Sequence, residues 1–374
     1  MAAPGAAPIQ VPLDAVPGSV GTDEVLSALL RINPRVSDLI FSPGRRVQVQ
    51  VNGEFVPVGM PGTPALTADD TRRIASDLIG SNKAAVNLLR EQGYCDVSYA
   101  IPGLARFRVN VFIQRGSCAV VMRVIATAIP TFASLTLPDE LRGVASLRDG
   151  LVLVTGPRGS GKTSTLAALI DCINESVTCH IITIEDPIEY LHNHKRATVH
   201  QRELHSDTPT VAHAMRAALR QAPNVIAVGE LSDNESVNLA LEAAETGHLV
   251  LSTLNTTNLH QTFERLVSAF PAAEQSSVRD RLGRMLRYVI AQRLIPRKSD
   301  TGRIGIFEVI KSGSTTLDRV LESRDDFAVA GNFESGLDGE IAKLLHSGVI
   351  SQDTALSFAI HPRELPAKLS ALQQ

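Results

Sequence analysis

The arrangement of apolar and polar positions divides the chain near residue 130. Before that point, short segments alternate between apolar and polar residues, as strands buried on one face do. Residues 45–51 alternate in this way, and Asn52-Gly53, a strong hairpin signal, follows them. Two helices are predicted, one capped by Thr22 and one opening at Thr67. Further strands are predicted at 94–100, 105–114 and 117–125, so this part is expected to be an α+β domain with an antiparallel sheet.

Beyond residue 140, short apolar runs alternate with helical patterns. Ser206 or Thr208 is expected to cap a helix that ends before Pro223. Strands that alternate with helices predict a doubly wound α/β domain with a mostly parallel sheet. The apolar runs that predict its buried strands are 151–155, 180–184, 225–228 and 249–254.

These changes of pattern predict the domain organisation. The start of the chain is rich in Ala, Pro and Gly, which indicates a mobile tail, and the pattern becomes helical and more polar from about Thr316. The predicted segments are a tail at 1–20, an N-terminal domain at 21–128, a linker at 129–140, an α/β domain at 141–312 and a C-terminal helical subdomain at 313–374.

Composition removes several classes of protein. The 374 residues are 44% hydrophobic and 20% charged, which fits a soluble protein with a sizeable core. A net charge of −3 gives no global basic character, so nucleic acid is not expected as a partner. No apolar run approaches the roughly 18 residues of a membrane span. Four scattered cysteines without a C-x-x-C pair argue against a zinc ribbon and fit free thiols in a reducing cytoplasm.

The strongest chemical signal is a phosphate-binding loop at residues 156–163, which fits G-x-x-x-x-G-K-[ST] between a predicted strand and a predicted helix. Glycines allow backbone N–H groups to surround phosphate oxygens, and the helix N-terminus adds partial positive charge. ATP and Mg²⁺ are therefore the expected ligands, with Lys162 on the terminal phosphates and Thr163 on the metal. The expected nucleotide-binding residues are Gly156, Pro157, Arg158, Gly159, Ser160, Gly161, Lys162, Thr163 and Ser164.

Acidic residues follow two of the other predicted strands. Glu185 comes after the strand at 180–184 and is a candidate for polarising the attacking water, although such a loop can also be merely a solvated edge. Glu230 follows the apolar run Val225–Val228, which is the Walker B pattern, and is expected to hold the Mg²⁺ shell or to act as a base. His248 precedes a strand and is a candidate γ-phosphate sensor or a structural histidine.

Arginines concentrate in the first domain. Arg106 and Arg108 are two residues apart on a predicted strand and therefore share a face, and Arg115 follows the same strand. A neighbouring domain or subunit can supply an arginine finger to a P-loop enzyme. These residues are candidates for that role, and the alternative is a solvated basic face.

Taken in order, these motifs resemble the secretion ATPase superfamily and, within it, the type IV pilus retraction ATPases, which include PilT-like proteins and PilU-like paralogues. The resemblance extends over nearly the whole chain after residue 20. The matching segments are Ser37-Asp38-Leu39 with Asn52-Gly53-Glu54, the arginine-bearing strand at 105–115, Walker A at 156–163, the Asp box at 183–190, Walker B at 228–230, the start of the His box at 244–249 and the closing segment at 292–296.

The resemblance implies a PAS-like N-terminal domain, a RecA-like P-loop domain and a C-terminal helical subdomain. It also implies a cytoplasmic homohexamer, peripheral at the inner membrane, that couples ATP hydrolysis to pilus retraction and twitching motility through a membrane platform protein. Catalytic roles would fall to Glu185, Glu230, Lys162 and His248 and to Arg106, Arg108 and Arg115. The assembly and type II secretion ATPases are longer and usually carry a four-cysteine zinc motif, which this chain lacks.

The chain departs from the retraction pattern at several positions. Asn255 stands where the His box usually has a second histidine, Leu231-Ser232-Asp233 lacks the usual arginine, and Arg158 replaces a small residue in the loop. The C-terminal Ala-Ile-Arg signature is degenerate at residues 315–320. The alternative hypothesis is therefore a PilU-like accessory subunit that hydrolyses ATP weakly and assists a paralogous retraction ATPase as its partner.

Overall fold

A computed structural model describes residues 9–10, 21–51, 53–59, 65–125, 128–299, 302–313, 336–363 and 365. The chain forms two compact units, Met1–Thr127 and Ala128–Gln374. All four cysteines are free. Within the described part of the chain, no helix has the length and apolar character needed to cross a membrane.

The first unit is built on a seven-stranded sheet in the order β1-β4-β3-β2-β7-β6-β5. All neighbours are antiparallel except the two-residue β1, which runs parallel to β4. The strands are β1 (Ile9–Gln10), β2 (Val36–Phe41), β3 (Val47–Val51), β4 (Glu54–Gly59), β5 (Tyr94–Ile101), β6 (Ala105–Gln114) and β7 (Ser117–Ile125). The helices are α1 (Thr22–Arg31), α2 (Ala68–Ile79) and α3 (Lys83–Gln92).

Most of these elements follow the sequence prediction, with three differences. Strand β2 and helix α3 were not predicted, because β2 lacks clean alternation and α3 buries little apolar surface. Gly21, and not Thr22, is the N-cap of α1, because the Thr22 hydroxyl donates instead to Asp77 of α2. Of the tail that was predicted to be mobile, only Ile9–Gln10 is described, and it forms β1, a strand that was not predicted. Asn52 of the predicted hairpin turn lies outside the described residues.

The second unit contains a seven-stranded sheet in the order β10-β9-β11-β12-β8-β13-β14. Its first six strands are parallel, and β14 pairs antiparallel with β13 at the edge. The strands are β8 (Gly150–Thr155), β9 (His180–Glu185), β10 (Thr198–Glu203), β11 (Val225–Val228), β12 (Leu249–Leu254), β13 (Leu286–Pro296) and β14 (Arg303–Lys311). The helices are α4 (Phe132–Leu135), a 3-10 helix (Asp139–Ser146), α5 (Lys162–Ser176), α6 (Val211–Ala218), α7 (Asn234–Glu245), α8 (Leu259–Ser268), α9 (Gln275–Met285), α10 (Leu337–His346) and α11 (Gln352–Phe358).

Both faces of this sheet are buried at its centre, which explains why β8, β11 and β12 are almost continuous apolar runs. Leu151 and Leu153 of β8 face one core with helices α6 to α9, whereas Val152 and Val154 face a second core with α5. Alternate residues of a strand point to opposite faces, so each central strand serves both cores. Part of the predicted linker belongs to the second core, in which Phe132 is buried.

Three features of the second unit were outside the prediction or differ from it. Neither Ser206 nor Thr208 caps α6; the cap is Thr210, whose hydroxyl accepts the His213 N–H at 3.1 Å. The edge strands β10 and β14 were not predicted, nor was β13, which lies between β8 and β14. Residues 314–335, which include the degenerate signature at 315–320, lie outside the described residues, and α10 and α11 are the described helices of the predicted C-terminal subdomain.

Candidate functional site

The predicted phosphate loop connects β8 to α5. A Cβ added at Gly156 would lie 2.4 Å from the backbone oxygen of Gln292 and 2.5 Å from Ser160 Oγ, so only glycine fits there. Gln292 of β13 also holds the loop directly, since its Nε2 donates to the Ser160 carbonyl oxygen at 2.7 Å. The neighbouring strand therefore fixes the shape of the loop before any ligand binds.

The Lys162 side chain is buried against the phosphate loop. Its ammonium donates to the carbonyl oxygens of Gly156 at 2.9 Å and Pro157 at 3.0 Å. Burial lowers the pKa of Lys162, and the nearby charge of Arg158 lowers it further, while Glu230 partly offsets this. A buried, partly desolvated ammonium group beside the N–H groups of the loop is well suited to neutralise the negative charge of phosphate oxygens.

Two further observations fit a phosphate ligand. The Ser160 hydroxyl is buried and has no hydrogen-bond partner among the described residues. Helix α5 begins after Gly161, which has no side chain to cap the first N–H groups. Buried polar atoms and uncapped helix N–H groups are normally satisfied, and a bound anion satisfies both kinds.

The loop opens on a cavity of about 400 Å³. Strands β9, β11, β12 and β8 are adjacent and parallel, so their carboxyl ends meet at one edge of the sheet. The polar residues at or just beyond the carboxyl ends of β9, β11 and β12 are Glu185, Glu230 and Asn255, and all three line this cavity together with Lys162 and Thr163. The sheet thus assembles groups that are far apart in sequence.

Glu185 is the most enclosed carboxylate of the cavity. Its Oε1 accepts two hydrogen bonds, from Thr183 Oγ1 at 2.5 Å and from Gln201 Nε2 at 2.9 Å. Burial raises the pKa of Glu185, while the bonds from Thr183 and Gln201 lower it in part, and the charge of Glu189 raises it again. A carboxylate with a raised pKa and fixed orientation has the properties of a general base.

Glu230 is exposed to the cavity and has a partner that sequence reasoning did not assign to the site. Asn255 Nδ2 donates to Glu230 Oε1 at 2.7 Å. Asn255 lies at the carboxyl end of β12, as Glu185 and Glu230 lie at the carboxyl ends of their strands, and that shared position is the signal that could have identified it. Gln201 and Gln292 gave no such signal, because their contacts depend on strand pairing.

His248 does not belong to this site. It precedes β12, and its N–H and Nδ1 both lie at 3.0 Å from the Ala243 oxygen at the end of α7. Because β12 has six residues and runs parallel to β8, His248 lies at the opposite edge of the sheet, about 20 Å from the loop edge. His248 therefore does not reach the phosphate loop of its own chain, and its contacts among the described residues are those of a structural histidine. That it senses a γ-phosphate stays a prediction.

The three arginines all lie in the first unit. Arg106 and Arg108 occupy the face of β6 opposite to buried Phe107 and Val109, as predicted from their spacing. Arg115 is exposed in the turn after β6, nine residues beyond Arg106, which corresponds to about 30 Å of extended chain. Arg106 and Arg115 therefore cannot contact the same phosphate group within one chain.

The oxygen groups of the cavity also fit a magnesium ion. Thr163 Oγ1 lies 3.5 Å from Glu189 Oε1, too far for a strong hydrogen bond, and Glu230 is nearby in the same cavity. No cluster of three acidic, histidine or cysteine ligands occurs among the described residues. This donor set suits Mg²⁺ bound together with phosphate oxygens, since Mg²⁺ typically takes only one or two protein carboxylates.

Comparisons with known proteins show which family the chain resembles. A family model described as type II/IV secretion system protein matches residues 97–327. The type IV pilus retraction ATPase PilT of Pseudomonas aeruginosa is 38% identical over 326 residues, which are 85% of this chain and 93% of that protein. The type IV pilus ATPase PilU of the same organism is 39% identical over 274 residues, 73% of this chain and 70% of PilU. A crystal structure of the pilus retraction motor PilT with bound ADP matches with a TM-score of 0.85 and 37% identity, covering 93% of this chain and all of that one.

Proposed function

The chain belongs to the type II/IV secretion system family and, within it, to the PilT-like retraction ATPases, and from this premise we propose that it hydrolyses ATP to drive type IV pilus retraction. The observation that carries the proposal is the cavity at the sheet edge, where Lys162, Thr163, Glu185 and Glu230 converge. The RecA-like fold of the second unit supports it. The PAS-like character of the first unit stays a prediction.

The residues of the cavity divide the chemical work. The loop N–H groups and Lys162 bind the phosphates and neutralise their charge. Glu185 orients a water molecule and accepts its proton as the water oxygen attacks the γ-phosphorus and the bond to ADP breaks. Mg²⁺, held by Thr163 and by Glu230, would add charge neutralisation at the phosphates. Asn255 keeps the Glu230 carboxylate in one orientation through its amide N–H.

The oligomeric state, the location and the partner of the motor are suggested by the family and belong to the same proposal. We propose a homohexamer at the cytoplasmic face of the inner membrane that acts on a pilus platform protein. Arg106 and Arg108 are the candidates for an arginine contributed in trans, because they share one face of β6. Arg115 stays a separate candidate.

ATP turnover by the purified full chain tests the proposal. The chain is compared with Lys162→Ala, Glu185→Gln and Glu230→Ala, and each substitution is expected to lower turnover by at least about 100-fold. A strain that lacks its own retraction ATPase and expresses the chain should recover twitching. Equal turnover in all four proteins would contradict the proposed site.

One observation favours a second candidate, the PilU-like accessory subunit. Asn255, which contacts Glu230, cannot carry the charge that a histidine at that position can. In this case the chain hydrolyses slowly and supports a paralogous retraction motor. Rescue of a deletion strain by the Glu230→Ala variant would favour the accessory role, and rescue by the unmodified chain alone would favour the motor.

A further inference from the structure

The segment that follows β9 packs beside the phosphate loop. We name residues 186–192 the strap. Tyr190 OH lies 2.8 Å from Ser164 Oγ in the first turn of α5, and Glu189 faces Thr163 at 3.5 Å. The strap therefore connects Glu185, which directly precedes it, to the start of the nucleotide-binding helix.

One side chain of the edge strand β10 connects the strap to Glu185. Gln201 Nε2 donates to Glu185 Oε1 at 2.9 Å and to the Tyr190 carbonyl oxygen at 2.8 Å. Its Oε1 accepts the His192 N–H at 2.8 Å. Gln201 is thus bonded through both ends of its amide, and three contacts in three directions define its orientation.

The same face of β10 makes one further attachment. Glu203, two residues along the strand, accepts the buried Ile188 N–H at 3.0 Å. Residues two apart on a strand share a face, so the side chains of Gln201 and Glu203 form hydrogen bonds with the backbone of the strap from the same face of β10. Gln201 differs from Glu203 in that its side-chain amide can donate a hydrogen bond, and it does so to the Glu185 carboxylate.

We propose that Gln201 is a positioning residue of the hydrolytic reaction, which holds the Glu185 carboxylate and the strap in one fixed arrangement without touching the substrate. This inference rests on the proposed function, in which Glu185 accepts the proton of the attacking water. A glutamine is suited to the task because it donates to a carboxylate and accepts from a backbone N–H at the same time.

Replacing Gln201 should change the pKa of Glu185, which can be measured. Burial raises the pKa of Glu185, and the hydrogen bonds from Thr183 and Gln201 lower it. The charged groups around Glu185 are Glu189, Glu230, Asp186, Lys162 and Arg158 in the cavity and Glu203, its register partner on β10. None of these groups changes when Gln201 is replaced. Loss of the Gln201 N–H therefore destabilises the ionised carboxylate, and the pKa of Glu185 should rise further.

Gln201→Met tests this inference, because methionine has a similar length and no amide. We expect kcat to fall about 10- to 100-fold and the acid limb of the kcat–pH profile to move upward by about one pH unit. The affinity for a fluorescent ADP analogue should change less than about threefold, because Gln201 does not line the cavity at the loop. The measurements are kcat between pH 5 and 9 and the analogue's Kd on the full chain.

Asn174→Leu is the matched control. Asn174 of α5 is buried, donates to the Asn193 oxygen at 2.8 Å and accepts the Lys195 N–H at 3.1 Å, so it anchors the chain just after the strap without contacting Glu185. It should lower the unfolding midpoint while leaving the acid limb of the profile in place. Equal displacement of the limb by both variants would show that Gln201 is merely structural and would overturn the inference.

Two further outcomes are distinguishable. If Gln201→Met does not fold, Gln201→Glu decides, because it keeps the acceptor for the His192 N–H but replaces the donor to Glu185 with a second carboxyl; an unmoved acid limb in that variant would overturn the inference. If Glu185→Gln retains full turnover, the proposed function of Glu185 fails. If Glu185→Gln is inactive and Gln201→Met has the unmodified profile, only the inference about Gln201 fails.

Discussion

Replacing Gly156 with alanine is expected to damage the phosphate loop more than the same change at Gly159. The new Cβ would lie 2.4 Å from the Gln292 backbone oxygen and 2.5 Å from Ser160 Oγ, whereas at Gly159 no atom lies within 4 Å. The Gln292 oxygen cannot move easily, because β13 is paired with β8 on one side and β14 on the other. Both glycines have positive φ, 155° and 77°, so both substitutions also strain the backbone.

The magnitudes follow from these contacts. Backbone strain at positive φ costs about 1–2 kcal/mol in either variant, and forcing an atom into a filled space adds about 1–3 kcal/mol at Gly156 alone. The difference between the two variants should therefore be about 1–3 kcal/mol in the free energy of unfolding. For a unit of this size, each kcal/mol shifts the thermal midpoint by about 2–4 °C.

Thermal unfolding without nucleotide measures this difference, and the Kd for a fluorescent ADP analogue measures its effect on binding. Gly156→Ala should unfold several degrees below Gly159→Ala and should bind nucleotide more weakly, because the loop must open to admit the Cβ. Equal midpoints for the two variants would refute the reasoning. In that case β13 would not fix the loop as the structure indicates.

Three other outcomes are expected. Burial raises the pKa of Glu185 above its usual value of 4.5, so the ionised base forms only at higher pH; kcat should fall as the pH drops through this raised pKa, and a profile with its acid limb below pH 4.5 would contradict it. His248→Ala should leave kcat within about threefold, since His248 lies about 20 Å from the loop edge; a loss near 100-fold would contradict the structural assignment. Arg281→Met removes the paired bonds to Glu245 at 2.8 and 2.9 Å and should destabilise the second unit by about 1 kcal/mol. The pKa of Glu245 is lowered in the folded chain, mainly by its hydrogen bond with Arg281, so this stabilisation is present above pH 4.5 and is lost as pH falls through the lowered pKa; urea unfolding at pH 7 and pH 3 should show the difference between variant and unmodified chain shrinking at the lower pH.

Several parts of the fold could be predicted because local sequence carries them. The strands β6, β7, β11 and β12 have the predicted bounds, since alternation or a continuous apolar run reports burial directly. Helix caps were predicted less well: Thr67 caps α2 with a reciprocal bond to Asp70, but Thr22 and the pair Ser206 and Thr208 do not cap their helices. A hydroxyl group near a helix start can form hydrogen bonds with several different groups, and the local sequence does not determine which of them it contacts in the folded chain.

In the candidate site, too, some features could be predicted from local sequence and others could not. The phosphate loop, Glu185 and Glu230 were predicted because each follows an apolar strand, and parallel strands present such residues at one edge. His248 was also a candidate, but it precedes β12 and therefore lies at the other edge of the sheet. Asn255 was noticed as a departure from the family pattern but was not assigned to the site.

The phosphate loop between a buried strand and a helix, and the acidic residues near the ends of other strands, can be recognised in the amino-acid sequence because each concerns residues adjacent in the chain. Which of these residues come into contact depends on the folded arrangement of the strands. The order of the strands placed Asn255 beside Glu230, and the pairing of β10 with β9 placed Gln201 on Glu185. Contacts of this kind depend on strand order and register. Both arise from packing over the whole sheet and cannot be inferred from a single segment of sequence.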